Sequence, residues 1–349
     1  MSDKQTSRRA GGMKVVGALA LTVFLSGSAP AQSLDIPAKT WGLSFGNSKA
    51  FTGLRFNFRD SGVVRVTGIN FTLWTPKKDN KNSVVKGIST GLIPGGGEMT
   101  GLQIGILGAM AEKKMTGLNV GALGAGSGED MIGINIGGLG VGAGENVKGI
   151  TIGGLGAGAG ENLVGLNVGG LGVGAGKNVG GLTIGGLGAG AGENLTGIGI
   201  GGLGIGAGKN MTGVFVGGLG IGAGGVVKGV MIGGIGAGAG EKLMGLVVCG
   251  IAAGAPEVKG VSICGLGTGG VRLTGAFLAI GMVKLEKGGR FSGLAVSSFN
   301  YLRGTVNGLS IGIVNYAFHL EKGFQLGLVN IVRDNPKGLR VLPVFNTKF

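Results

Sequence analysis

The sequence predicts an all-β chain wound as a parallel β-solenoid of about 19 coils, each of 15–16 residues with two short strands. Three observations carry this expectation. Glycine recurs with a strict step of 16, at 101, 117, 133, 149, 165, 181, 197, 213, 229 and 245. Apolar residues alternate with period 2 inside each copy, the pattern of a half-buried strand. The alternation breaks at paired glycines, where a residue without Cβ lets the chain bend.

A central copy shows the elements in order. From Glu145 it reads Glu-Asn-Val-Lys-Gly-Ile-Thr-Ile-Gly-Gly-Leu-Gly-Ala-Gly-Ala. Strands are expected over about 149–152 and 155–159, with a bend at Gly153-Gly154 and a turn at the Glu-Asn step. Val147, Ile150, Ile152 and Leu155 are expected inside. The column Gln103, Asn119, Asn135, Thr151, Asn167, Thr183, Gly199, Phe215, Met231, Val247 and Ser262 is expected outside. Looser copies flank the array, at Gly53, Gly68 and Gly87 before it and at Gly260, Gly275, Gly293, Gly308, Gly323 and Gly338 after it.

Composition excludes the competitors. With 86 glycines in 349 residues a helical fold is ruled out, because each costs about 1 kcal/mol relative to alanine in a helix. Collagen needs glycine at every third position and abundant proline, and there are 7 prolines here. Disorder goes with low hydrophobicity, whereas mean hydropathy is +0.44. An outer-membrane β-barrel, one long bent strand per copy, is the alternative architecture. It fits less well, because every copy has the same turn and each unbroken strand is short against the ~9–11 residues that cross a bilayer.

Four segments are expected. Residues 1–31 read as a signal peptide: Arg8, Arg9 and Lys14, then an apolar stretch from Val15 to Leu25, then Ala29-Pro30-Ala31. Residues 32–100 form irregular coils and a cap, 101–255 the regular glycine-rich shaft, and 256–349 variant coils and a second cap. Aromatic residues concentrate in the two flanks, among them Trp41, Phe45, Phe56, Phe71 and Trp74 at one end and Phe299, Tyr301, Tyr316, Phe324 and Phe345 at the other. Charge is segregated too. Nine cations face four anions in 32–100, seven face seven in 101–255, and eleven face four in 256–349.

In-register stacking defines the candidate sites. Asp130, Asn146, Asn162, Asn178, Asn194 and Asn210 fall at steps of 16 and should form a structural ladder of side-chain amides. Beside it run Glu129, Glu145, Glu161, Lys177, Glu193, Lys209 and Glu241, where the lysines interrupt a like-charge column. Cys249 and Cys264 each lie four residues after a marker glycine, which makes them a candidate disulfide. No metal and no cofactor is expected, because calcium repeats use several carboxylates per turn. His319 has no His or Cys partner in the sequence. The Gly-Leu-Gly-Ala-Gly strings match phosphate loops only partly, and no helix follows them. Carbohydrate-cleaving β-helices carry paired acids on one face, and the acids here sit singly at turns, so no catalytic residues are expected.

The tail Gly308-Leu-Ser-Ile-Gly-Ile-Val-Asn315-Tyr316, followed by Gly323-Phe-Gln-Leu-Gly-Leu-Val-Asn330-Ile, resembles a family of bacterial surface-repeat proteins with Gly-Leu-x-Ile-Gly-Leu-Val-Asn units. The resemblance is clearest over 290–349, and the central shaft lacks the closing Asn. It implies an exported, envelope-associated protein and supplies no catalytic residues. The expected function is a non-catalytic structural or adhesive protein of the cell envelope, in the periplasm, the outer membrane or at the cell surface. The alternatives are an outer-membrane barrel and a glycan- or ice-binding solenoid. Expected partners are anionic envelope lipid or glycan, or a second copy through the flat face made by Gly156, Gly158 and their equivalents; nucleic acid is not expected.

Overall fold

The computed structural model describes residues 33–348, so the expected signal peptide lies outside the described residues. The chain is a parallel β-solenoid of about 17 turns. It divides into two compact units, Met1–Ala122 and Leu123–Phe349. Among the described residues the only helical pieces are two single 3-10 turns, Lys78–Asn80 and Lys337–Leu339. No helix there is long and apolar enough to cross a membrane.

In the first unit a hairpin opens the chain: Ser33–Ala38 runs antiparallel to Trp41–Gly46. From Trp41–Gly46 onward each strand pairs parallel with the next, through Ala50–Arg59, Arg65–Trp74, Val84–Gly91 and Gly95–Gly105 to Gly108–Gly121. In the second unit a regular coil has an eight-residue strand, such as Asn146–Gly153, and a four-residue strand, such as Gly156–Ala159. Each pairs parallel and in register with its counterpart 16 residues later, Gly149 on Gly165 and Ala157 on Val173. The bends hydrogen-bond from coil to coil as well, with Leu155 N–H donating to Leu139 O at 2.7 Å and Glu161 N–H to Glu145 O at 2.7 Å.

Four expectations need correction. The copy at Gly338 is not a coil: Gly338 sits in the 3-10 turn, after which Val341–Lys348 folds back antiparallel on Val314–Val332 and covers the last parallel edge. In the C-terminal coils the two short strands fuse into single strands of 13–19 residues, Gly267–Ala279 to Val314–Val332, with register shifts in place of one corner. The Asn of each Glu-Asn step begins the long strand, and the bend falls at Gly160-Glu161. The fourth correction is the largest and concerns which side of the strand faces in.

Val147, Thr151 and Ala157 are the buried residues of the central coil, with exposures of 0%, 0% and 5%, while Ile150, Ile152 and Leu155 stand at 36%, 38% and 49%. Alternation therefore runs straight through the marker glycine, and the expected inner and outer sets change places beyond it. The cause is the tight corner at the end of the long strand. A Cβ at Gly153 would run into the carbonyl of Gly156 on the returning strand, so the interior there admits only glycine. Because Gly153 must point inward at this corner, alternation turns Thr151 in and Ile150 and Ile152 out. Volume is matched between coils: Gly199 leaves room for Ile205 and for Phe215 of the next coil, both buried.

The marker glycines are required for a different reason. Gly149 has φ 117°, and a Cβ on it would strike the carbonyl of Gly133 one coil earlier. Gly158, by contrast, has room for a Cβ, at an ordinary 3.5 Å from Gly174 O. Replacing Gly149 by Ala should lower stability by about 1–3 kcal/mol, whereas Gly158→Ala should change it by less than about 0.5 kcal/mol. Denaturant unfolding of the two variants reads the difference.

Candidate functional site: the outer aliphatic columns

Counting from the marker glycine, the outward positions of the regular coils include the ladder residue three before it, the residue just before it, and the first, third and sixth residues after it. In the copies from Gly133 to Gly260 the first position reads Ile134, Ile150, Leu166, Leu182, Ile198, Val214, Val230, Leu246 and Val261. The third reads Ile136, Ile152, Val168, Ile184, Ile200, Val216, Ile232, Val248 and Ile263. The sixth reads Leu139, Leu155, Leu171, Leu187, Leu203, Leu219, Ile235, Ile251 and Leu266. None of these is buried, and the sixth-position leucines project at the bend about half exposed. In-register pairing and bend hydrogen bonds lay each on its equivalent, so three unbroken aliphatic columns run through these nine copies.

The inward second position does the opposite. Asn135, Thr151, Asn167, Thr183, Gly199, Phe215, Met231, Val247 and Ser262 mix polar, small and aromatic residues, and the side chains are buried to 1% exposure or less. The Thr151 and Thr183 hydroxyls have no protein partner. This column was expected outside. It is instead sealed inside the coil.

The structure brings the predicted ladder residues together. Asn146 Nδ2 donates to Asp130 Oδ1 at 2.9 Å, Asn162 to Asn146 at 2.8 Å, Asn178 to Asn162 at 2.8 Å, Asn194 to Asn178 at 2.9 Å and Asn210 to Asn194 at 3.1 Å. The ladder ends where Asn210 Oδ1 accepts from Val226 N–H at 3.0 Å. In the neighbouring charged column Lys177 pairs with Glu161 at 2.6 Å and Lys209 with Glu193 at 3.1 Å. These pairs are exposed and screened, so they relieve repulsion between stacked carboxylates more than they add stability. Farther along, Glu257 accepts from Lys242 and Arg272, each at 2.8 Å. Those hydrogen bonds, the Lys242 one foremost, hold its carboxyl below the ordinary value. Their stabilisation is present above the ordinary carboxylate range and is lost as the pH falls through the lowered value.

Cys249 and Cys264 lie on adjacent coils, paired directly in register, and form a disulfide with their Cα atoms 4.6 Å apart. They occupy the position that Gly153 holds in the regular coils, and the returning strand there is only three residues, Ala252–Gly254. His319 Nδ1 lies 2.6 Å from Asp334 Oδ2 near the surface. Among the described residues no group of three or more His, Cys, Asp and Glu side chains is placed to hold a metal ion. A shallow, open hollow near the end of the second unit is lined by residues such as Lys322, Phe324 and Lys348.

Two polar clusters escaped the sequence reading. The first is a second, fully buried ladder in which Asn300 donates to Asn315 at 2.7 Å and Asn315 to Asn330 at 2.8 Å, while their amides also bond backbone carbonyls at the bend. Its signal was the Asn closing each C-terminal copy. The second is in the first unit, where Arg55 is wholly buried. It pairs with Asp60 at 2.6 Å and donates to Asn70 at 2.8 Å and Asn47 at 3.0 Å, and Asp60 also accepts from Asn57 and Thr72. Arg55 stands at the second position after Gly53, so the repeat placed it on the alternating face. Only the fold shows that this face is interior. The aromatics expected as an N-terminal cap lie mostly outside: Phe45, Phe56 and Phe71 make an outer stack with ring centroids 5.5 and 6.0 Å apart, and of this group Phe51 is buried.

Comparison of the chain with protein-family models, curated proteins and solved structures returns no match.

Asp60→Asn would strand the buried Arg55 charge and should cost about 3–5 kcal/mol in unfolding experiments. The cysteines should resist alkylation until reduced and then take up two labels. The double variant Cys249→Ala/Cys264→Ala should lose about 3 kcal/mol, the value for a loop of this length.

Proposed function

We propose that the chain is a non-catalytic structural or adhesive repeat protein of the bacterial cell envelope, working through a broad sheet face and not through a pocket. The observation that carries this reading is the uninterrupted outer aliphatic face of the second unit. Water offers no reason to keep 27 outward positions, three columns of nine, as Ile, Leu or Val. A large exposed apolar surface is the mark of an interaction site. The solenoid supports the same reading energetically. Its backbone groups bond from coil to coil, so the face stays rigid without depending on what it meets.

Chemistry that needs convergent polar groups finds little support in the same geometry. The polar residues at the second position are sealed inside, and the asparagines of the outer ladder bond one another. Parallel, in-register coils also speak against the up-and-down barrel, whose neighbouring strands are antiparallel. Cell fractionation tests the proposal. The chain is expected in the envelope fraction, extracted by detergent and not by salt washing alone, and recovery in the cytoplasmic fraction would overturn it.

A further inference from the structure

We propose that the outer aliphatic face of the second unit is a membrane-binding surface. Its three columns would sink among acyl chains, while the lysines alongside meet anionic headgroups. The proposal rests on the reading of the chain as an envelope scaffold and names what that scaffold touches.

Polarity is held constant in three outward columns and left free in the inward second position. The buried second position accepts Asn, Thr, Gly, Phe, Met, Val and Ser, whereas the first, third and sixth positions, all outward, accept Ile, Leu and Val alone from Ile134 to Leu266. A sheet facing water shows the reverse, with an apolar inner face and a variable polar outer one. Outward positions that must be apolar but are indifferent to shape are those of strands facing lipid.

The kind of apolar residue narrows the occupant. Protein–protein contacts are anchored by Trp, Tyr, Met and Arg, and none occurs in these three columns between Ile134 and Leu266. A fluid of acyl chains asks only for aliphatic area. At roughly 100 Å² of apolar surface per side chain and about 40% exposure, the face leaves on the order of 1,000 Å² in water, against ~300–600 Å² for the largest patch of an ordinary monomer.

Charge supplies an independent argument. The outward position before the marker glycine carries Lys148, Lys228 and Lys259, all exposed, and later Lys322; from Ile132 to Lys322 it holds no acid. The acids of the regular coils collect instead at the bend beyond the asparagine ladder, at Glu129, Glu145, Glu161, Glu193 and Glu241. Lysines next to an aliphatic stripe lay their stems along it and extend the ammonium to the polar boundary, where anionic headgroups attract it.

Flotation of the purified chain with vesicles of phosphatidylcholine, with and without phosphatidylglycerol, tests the proposal. The chain should float with the vesicles, more strongly with phosphatidylglycerol, and this preference should fade as salt is raised. Ile152→Glu/Ile200→Glu changes two outward side chains of one column and should weaken flotation at least about tenfold while leaving the unfolding midpoint in place. Lys148→Glu/Lys228→Glu/Lys259→Glu should abolish the phosphatidylglycerol preference. Failure to float, or flotation unaffected by the isoleucine variant, overturns the proposal. So does a chain that forms dimers or larger species without lipid and ignores vesicles, because the face then belongs to a second copy. A chain found in the envelope fraction that does not float refutes lipid binding alone. One that floats but is absent from the envelope refutes the scaffold reading alone.

Discussion

The parallel backbone hydrogen bond between a residue and its equivalent one coil later is the constraint from which the rest of the structure follows. It fixes register, so each side chain stacks on its own counterpart, as Asn146 does on Asn162 and Thr151 on Asn167. A 16-residue coil buries few side chains and cannot stand alone. Its stability comes from neighbours that complete its ladders on both edges. The ends then need different treatment, and both get it from an antiparallel strand, Ser33–Ala38 at one and Val341–Lys348 at the other.

Stacking turns single residues into columns, and a column amplifies whatever it is made of. Carboxylates above one another repel, and lysines at 177 and 209 interrupt that run. Asparagines do better, because an amide offers both a donor and an acceptor and can satisfy the coils before and after it. The chain uses this twice, in an outer ladder beside the bend and in the buried Asn300–Asn315–Asn330 ladder, where the same amides also satisfy bend carbonyls. Aromatics stack in the same way, as Phe45, Phe56 and Phe71 do.

The tight corners explain both the recurring glycines and the outward aliphatic columns. Where the chain turns closely, as at Gly153, only glycine fits inside, and alternation then turns Ile150 and Ile152 out. What stays inside is small or polar in several coils, with Arg55 and Asp60 in the first unit as the extreme case. That pair has its charge matched and most of its donors satisfied, which is the condition under which a buried ion pair is tolerated. The outcome is a scaffold whose rigidity lies in its backbone and whose side chains are largely free to serve the surface.

The period, the strands, the parallel stacking, the asparagine ladder and the adjacency of Cys249 and Cys264 were all legible in the sequence, because each depends only on which residues recur at 16 or 15. Even Arg55 and the Asn315 and Asn330 pair sit at recurring positions. Which side of the strand faces in was not legible. Alternation with period 2 looks the same from either face, and the habit of placing Ile and Leu inside chooses the wrong one here. That choice belongs to the tertiary structure, where the approach of Gly156 to Gly153 demands a residue without Cβ on the inner face, and alternation then turns Thr151 in and Ile152 out.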